Sequence, residues 1–228
     1  IINNRLEKVA KKARTTKNKE DLLEVETLEK SKDYLEKNVP LRLVEYSDEE
    51  RLILKNYSFL TLKPIIYLAN VSEEDLAKED NEYVKLVKEY AKKEKAPVVV
   101  LCAKVEEELS ELSDSDKEEL LSALGIGISG LDKLIKATYD LLGLATYFTV
   151  GKDEVRAWTF KKGMNAKKCA GIIHTDFEKG FIKAEVMSYD DLIKYGSELK
   201  VKEAGRARLE GKDYIMQDGD ICYFRFNK

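Results

Sequence analysis

Histidine is nearly absent from this chain of 228 residues, in which His174 stands alone. A site of clustered imidazoles is therefore excluded, metal-dependent hydrolysis is not expected, and no metal ligands are assigned. Cysteine is scarce too. Cys102, Cys169 and Cys222 are odd in number, widely spaced and form no CxxC pair. Buried thiols in a reducing compartment fit them better than disulfides or zinc, and no disulfide partner is expected. No apolar run approaches the ~18 residues of a membrane span, and no signal-peptide pattern is visible. No membrane contact is expected, and the cytoplasm is the expected location. The phosphate-cradling pattern GxxxxGK[ST] occurs nowhere. Charge of one sign is also missing: 40 Lys and Arg against 43 Asp and Glu leave a net charge of -3. Nucleic-acid binding would have to come from local patches.

What is present suits a folded protein. Hydrophobic residues are 43% and charged residues 36%, a globular balance with a heavily charged surface and room for one or two domains. The opening Ile1-Ile2-Asn3-Asn4-Arg5-Leu6 enters helical periodicity directly, without a start methionine, so a piece cut within a helix is expected. Ile2, Leu6, Val9 and Ala13 form a narrow apolar seam, and Leu22, Val25, Leu28 and Leu35 a second. The polar break at 15–19 between them predicts an antiparallel helical hairpin ending at Pro40. Its first helix is basic: Arg5, Lys8, Lys11, Lys12 and Arg14, then Lys17 and Lys19, against Glu7 alone. Such a face is either simply solvated or a phosphate-contacting arm.

Ser47 with Glu50 three residues later predicts a capped helix running to about Tyr57. The run Pro64-Ile65-Ile66-Tyr67-Leu68-Ala69-Asn70 is too short for a domain helix and reads as a strand covered on both faces. A second such run, Pro97–Leu101, follows an amphipathic helix over 81–93, so the two strands are expected to be parallel. Acidic helices are expected at about 105–111 and 114–124, and another from Ser129 to Gly143 with Leu131, Leu134, Ile135, Tyr139 and Leu142 on its apolar side. From Thr146 the period becomes two. Thr146–Val150 and Val155–Phe160 predict a hairpin around 151–154, followed by a short helix over 165–173 and a strand over 182–187. A second hairpin is expected around Gln217-Asp218-Gly219-Asp220.

The chemistry gathers after the two apolar strands, at the strand ends where open α/β sheets place ligands. Asn70-Val71-Ser72-Glu73 follows the first and Cys102-Ala103-Lys104 the second. A guanine clamp of the GTPase type uses Asn-Lys-x-Asp: the amide reads the ring's N7 edge, the lysine stem covers its face, and the aspartate accepts from two guanine donors. Here Val71 stands at the lysine position and Glu73 at the aspartate position. The longer carboxylate need not meet the two-donor edge in register, which weakens the device enforcing guanine. ATP is expected to bind at least as well as GTP. Backbone N–H groups of Ala103 and Lys104 are expected to meet the base edge. Taken alone, Asn-x-x-Glu is also a common turn.

Several longer runs resemble one family. They are Ser58-Phe59-Leu60-Thr61-Leu62-Lys63-Pro64, Tyr67–Glu73, Thr146-Tyr147-Phe148-Thr149, Glu154–Thr159, Ile173–Ile182, Lys202-Glu203-Ala204-Gly205 and Glu210–Ile215. Together they are similar to the Obg-like ATPases of the YchF type, over essentially the whole chain. The resemblance implies α/β plus α+β architecture. An antiparallel helical arm would occupy 1–40, the base-recognition half of a P-loop G domain with a parallel sheet 41–144, and a β-grasp (ubiquitin-like) TGS domain 145–228. It implies ATP, or more weakly GTP, with magnesium in the intact protein, and association with ribosome or RNA. It places base contacts on Asn70, Val71, Glu73, Cys102, Ala103 and Lys104. The family's phosphate loop, switches and magnesium ligands have no counterpart here, so no catalytic residue is assigned. The isolated chain is expected not to hydrolyse nucleotide or to bind it tightly.

Other residues are assigned more plainly. His174 is expected in a structural or ligand-contacting role and Trp158 in the core. Glu106, Glu107 and Glu108 are expected on a solvated face. Lys161, Lys162, Lys167, Lys168, Arg206, Arg208 and Lys212 make the C-terminal part locally basic, an RNA- or ribosome-facing patch. Two alternatives stand beside the ATPase reading: a nucleotide-independent RNA- or protein-binding module, and a regulatory TGS module of the sort attached to tRNA synthetases.

Overall fold

The structure, a computed structural model, describes residues 1–16, 18–151 and 154–227. It divides into two compact units, Ile1–Gly130 and Leu131–Lys228.

The first unit opens with helices α1 (Ile2–Thr16) and α2 (Lys19–Glu36), packed against each other as a hairpin. Lys17, one of the predicted cations, lies outside the described residues. Asn18 caps α2 by accepting the Glu20 N–H at 3.1 Å. In α1, Ile2, Val9 and Ala13 are buried as their spacing predicts. The α2 seam differs: Leu28 is fully buried, but Leu22 is 45% exposed, and Asp21, Thr27 and Ser31 turn inward instead. Those polar side chains carry their own partners. Thr27 and Ser31 donate to the carbonyls of Leu23 and Thr27 at 2.7 Å each, and Asp21 accepts from Lys12 and Thr16. The root of the hairpin shares a core with Leu41, Val44, Tyr46, Leu54 and Phe59.

Helix α3 (Asp48–Lys55) begins with the predicted capping box: Glu50 N–H donates to Ser47 Oγ and Ser47 N–H to the Glu50 carboxylate. It ends two residues before Tyr57. Strand β1 (Tyr67–Asn70) pairs in parallel with β2 (Val98–Leu101), from Tyr67↔Val98 to Asn70↔Leu101. Helix α4 (Glu82–Lys93), capped by Asn81, connects them. β1 is shorter than its apolar run and is not covered on both faces. Among the described residues its sheet has two strands, and Leu68 is 49% exposed. Helices α5 (Ala103–Ser110) and α6 (Asp114–Ala123) follow, packing Val105 and Leu109 with Cys102 and leucines of α6.

In the second unit, most of α7 (Gly130–Leu142) precedes the sheet. Leu131, Ile135 and Leu142, expected on its buried side, are each about half exposed. The sheet has the order β4-β3-β7-β5-β6. The strands are β3 (Leu144–Val150), β4 (Val155–Lys161), β5 (Phe181–Ser188), β6 (Arg208–Glu210) and β7 (Asp220–Phe226). β3 and β4 form the predicted hairpin; Lys152 and Asp153 of its turn lie outside the described residues. Helix α8 (Ala166–Ile173), capped by Asn165, packs on one sheet face with Tyr147, Phe160, Val186 and Phe224. Alternation puts Met187 and Ile221 on the other face, under Val201 of α11 (Glu198–Glu203) and Leu192 of α10 (Tyr189–Tyr195). A short helix, α9 (Thr175–Lys179), leads into β5.

The expected second hairpin does not form. Residues 213–216 make one bridge, Asn165↔Ile215, and Met216 N–H donates to Met164 rather than to β7. β7 pairs instead with β3 in parallel and with β5 antiparallel. The turn is diverted by the buried Asp220 carboxylate, which accepts from Gln217 N–H at 2.8 Å and Tyr214 Oη at 3.0 Å. All three cysteines are buried. Burial pushes the Cys169 thiol up to about 12 and Cys222 higher still, so neither is a nucleophile at neutral pH.

Candidate nucleotide-base site and cationic surfaces

The parallel pairing of β1 and β2 puts Asn70 directly beside Leu101, so the residues after each strand emerge side by side. Val71 N–H extends the ladder to the Leu101 carbonyl at 2.9 Å. Asn70 then joins the two ends: its Oδ1 accepts the Ala103 N–H at 2.9 Å. With the oxygen so used, the amide NH2 of Asn70 is left to donate outward, as reading a purine N7 acceptor requires.

Cys102-Ala103-Lys104 is not a loop, as expected, but the start of α5, with Cys102 at the cap position. The Ala103 N–H is therefore spent on Asn70, which leaves the N–H groups of Lys104 and Val105 at the positive end of the helix. The Cys102 side chain is buried against Val105 and Leu109, so only its backbone faces the site. Glu73 opens a 3-10 turn, Glu73–Asp75, two residues beyond Val71. Lys104 Nζ lies 3.9 Å from the Glu73 carboxylate and 3.6 Å from Glu108, all three side chains well exposed. Asn70, Glu73, Ala103 and Lys104 thus converge.

Two further residues support this corner and were not read from the sequence as doing so. Glu106, expected on a solvated face, accepts the Gly130 N–H at 2.7 Å. Gly130 in turn lies so close to β2 that a Cβ there would stand 2.3 Å from Leu101 Cβ. A contact across 24 residues leaves no periodic trace; the glycine just after Ser129 was its only signal. Among the described residues no group of three or more His, Cys, Asp or Glu could hold a metal ion.

The predicted cations fall into two classes. Lys12 is bound to the buried Asp21 carboxylate at 2.8 Å, and that bond holds the carboxyl below its usual range. Lys162 pairs with Asp140 at 2.9 Å and Arg206 with Asp191 at 3.3 Å. Arg208 donates to Tyr214 Oη and lies over the tyrosine ring. Lys8, Lys11 and Arg14 on α1, and Lys161, Lys167 and Lys168, form no ion pair with a described residue. Lys167 lies beside Lys212, through an N–H···O contact of 3.5 Å. Trp158 is half-buried, bonded to Thr149 Oγ1, with Arg156 stacked 4.2 Å from its ring.

Known proteins match this chain along almost its whole length. The ribosome-binding ATPase YchF of Bacillus subtilis is 52% identical over 227 residues, which cover 99% of this chain and 62% of that protein. The Escherichia coli O157:H7 protein of the same name is 47% identical over 222 residues, 97% of this chain and 60% of its own. The solved structure of the Schizosaccharomyces pombe YchF GTPase superposes with a TM-score of 0.84 at 35% identity, over 98% of this chain and 61% of that one. The chain belongs to the YchF family. It spans about three-fifths of the length of the YchF proteins it matches. A YchF-GTPase_C family profile, described as a protein of unknown function (DUF933), matches residues 144–227, the β-sheet portion of the second unit. Among the described residues no helix is long and apolar enough to cross a membrane.

Proposed function

We propose that this chain carries the base-recognition half of the nucleotide site of an Obg-like ATPase, together with its helical arm and its TGS domain. The observation that carries this reading is the Asn70–Ala103 bond, which locks two parallel strand ends into one corner with Glu73 and Lys104 at its rim. An aspartate would place a carboxylate close in against guanine's two donors; Glu73 sets it one methylene further out, so adenine is accepted at least as well as guanine. The arm is α1 and α2, residues 1–40. The β-grasp assignment for 145–228 is supported by the hairpin, the helix across it and the mixed sheet that follows. The names of its relatives, ribosome-binding ATPases, support a whole protein that hydrolyses ATP and engages the ribosome; magnesium and a cytoplasmic location belong to the same proposal. At this corner the described residues supply one side of the base and no phosphate loop, so the corner by itself binds nucleotide weakly and does not turn it over.

Equilibrium binding of a fluorescent ATP analogue tests this. Asn70→Ala removes both the tether and the N7 donor, and is expected to weaken binding about tenfold or more. Equal binding by the variant would remove the basis for the reading. A second reading, a nucleotide-independent module contacting RNA or protein, is favoured by the unpaired cations Lys8, Lys11 and Arg14 on one helix. RNA binding by a chain that shows no ATP binding would support it.

A further inference from the structure

At one end of the second unit, the described residues leave an open recess of about 650 Å³, lined by His174, Asp176, Phe177, Lys179, Phe226 and Asn227, with Gly180. That is within the range of small-ligand sites. Its floor is aromatic. Phe177 of α9 and Phe226 of β7 stack with centroids 3.8 Å apart and planes 27° from parallel, and both are half-buried. The His174 ring stands 6.4 Å from Phe177. Two glycines let the surrounding segments close up. A Cβ on Gly180 would meet the Asn227 carbonyl at 1.9 Å, and one on Gly171 would meet the Glu178 carboxylate at 2.6 Å.

The rim is polar and only partly satisfied. His174 Nδ1 accepts the Asp176 N–H at 3.2 Å, which places the proton of the neutral ring on Nε2 as a free donor. The Asp176 carboxylate lies 3.5 Å from Nδ1 and is well exposed. Lys179 is exposed and pairs with no described acid. An aliphatic anion would gain nothing from the rings, and an aromatic side chain would leave the ammonium unused. A planar heteroaromatic ring bearing both an amine and an anionic group uses every part.

We propose that this recess binds one nucleotide unit, with its base on the Phe177–Phe226 pair, its exocyclic amine donating to Asp176, and its phosphate held by Lys179 and His174 Nε2–H. The unit is either a free mononucleotide or one residue of single-stranded RNA; the chemistry is shared. The recess belongs to the second unit and Asn70 to the first, and the proposal does not depend on the reading of that corner.

Amide-resolved NMR titration of the whole chain with AMP, UMP and a short oligoadenylate tests the proposal. Amides of 174–180 and 226–227 report this recess, and those of 71–73 and 103–104 report the Asn70 corner, so failure of one is distinguishable from failure of the other. Saturable shifts at the recess are expected with AMP, and weaker ones with UMP, which lacks the amine. Phe177→Leu and Lys179→Ala should each weaken binding about fivefold or more. Lys179 is exposed, so its variant remains informative if Phe177→Leu misfolds. Tighter binding of oligoadenylate than of AMP assigns the site to RNA; equal binding assigns it to free nucleotide. The proposal is overturned if none of the three ligands produces saturable shifts there, or if both variants bind as the parent does. UMP binding as tight as AMP overturns the Asp176 contact.

Discussion

Glu94, at the C-terminal end of α4, gathers three segments on one carboxylate. It accepts from Arg42 Nη2 at 2.7 Å, Tyr67 Oη at 2.9 Å and Tyr90 Oη at 3.3 Å, and its side chain is 10% exposed. Tyr67 opens β1, the strand that ends in Asn70, and Arg42 follows the helical hairpin. The Arg42 bond, then the Tyr67 bond, hold the Glu94 carboxyl below its ordinary range. A depressed carboxylate contributes stability that is full above its unfolded pKa of about 4.3 and is lost as the pH falls through the folded value. Urea unfolding of Glu94→Gln at neutral pH is expected to show a loss of about 1–3 kcal/mol and a shallower decline in acid. An unchanged acid limb would contradict this. Nothing in the sequence pointed to the residue: Arg42 and Glu94 are 52 positions apart, and each alone reads as a surface charge. Asn70 was legible because it ends an apolar strand. That its oxygen would be taken by Ala103 was not, because pairing across strands is a property of the register.

Elements were legible where a local side chain sets their ends. Asn18, Ser47, Asn81 and Asn165 all cap the helices that follow them, and the α3, α4 and α8 starts lie where the sequence placed them. Elements failed where burial and pairing overrode a local signal. Gln217-Asp218-Gly219-Asp220 has the composition of a hairpin turn, yet Asp220 is buried and draws Tyr214 and Gln217 onto itself, so the strand before the turn is lost and β7 pairs with β3 and β5 instead. Leu68 and Leu22 were placed inside on periodicity and lie outside, because covering depends on which neighbours are there. Gly130 is the element-scale residue on which the base corner rests most directly. Gly130→Ala forces a Cβ to 2.3 Å from Leu101 and 2.9 Å from the Glu106 carboxylate. A destabilisation of about 1–3 kcal/mol is expected from thermal unfolding, with disturbed amides at 101–104. A variant as stable as its parent would show that the contact is not maintained.

For the molecule as a whole, charge pairing decides which cations are free for a polyanion. Lys12, Lys162, Arg206 and Arg208 are engaged within the fold, whereas Lys8, Lys11 and Arg14 on α1 are not. If the arm contacts RNA, reversing those three to glutamate should lower affinity and reduce the slope of log K against log salt by about 2. Filter binding across a salt series reads both; an unchanged slope would remove the arm from the interface. The family, by contrast, was legible across the whole sequence, since its runs extend through both units and the relatives align over almost the whole chain. The central claim concerns the corner formed by Asn70, Glu73, Ala103 and Lys104, and the most direct measurement is competition of ATP and GTP for it in the chain and in Glu73→Asp. The account predicts ATP binding at least equal to GTP in the parent, and a shift of the ratio toward GTP in the variant. A parent that prefers GTP, or a ratio indifferent to the substitution, would contradict it.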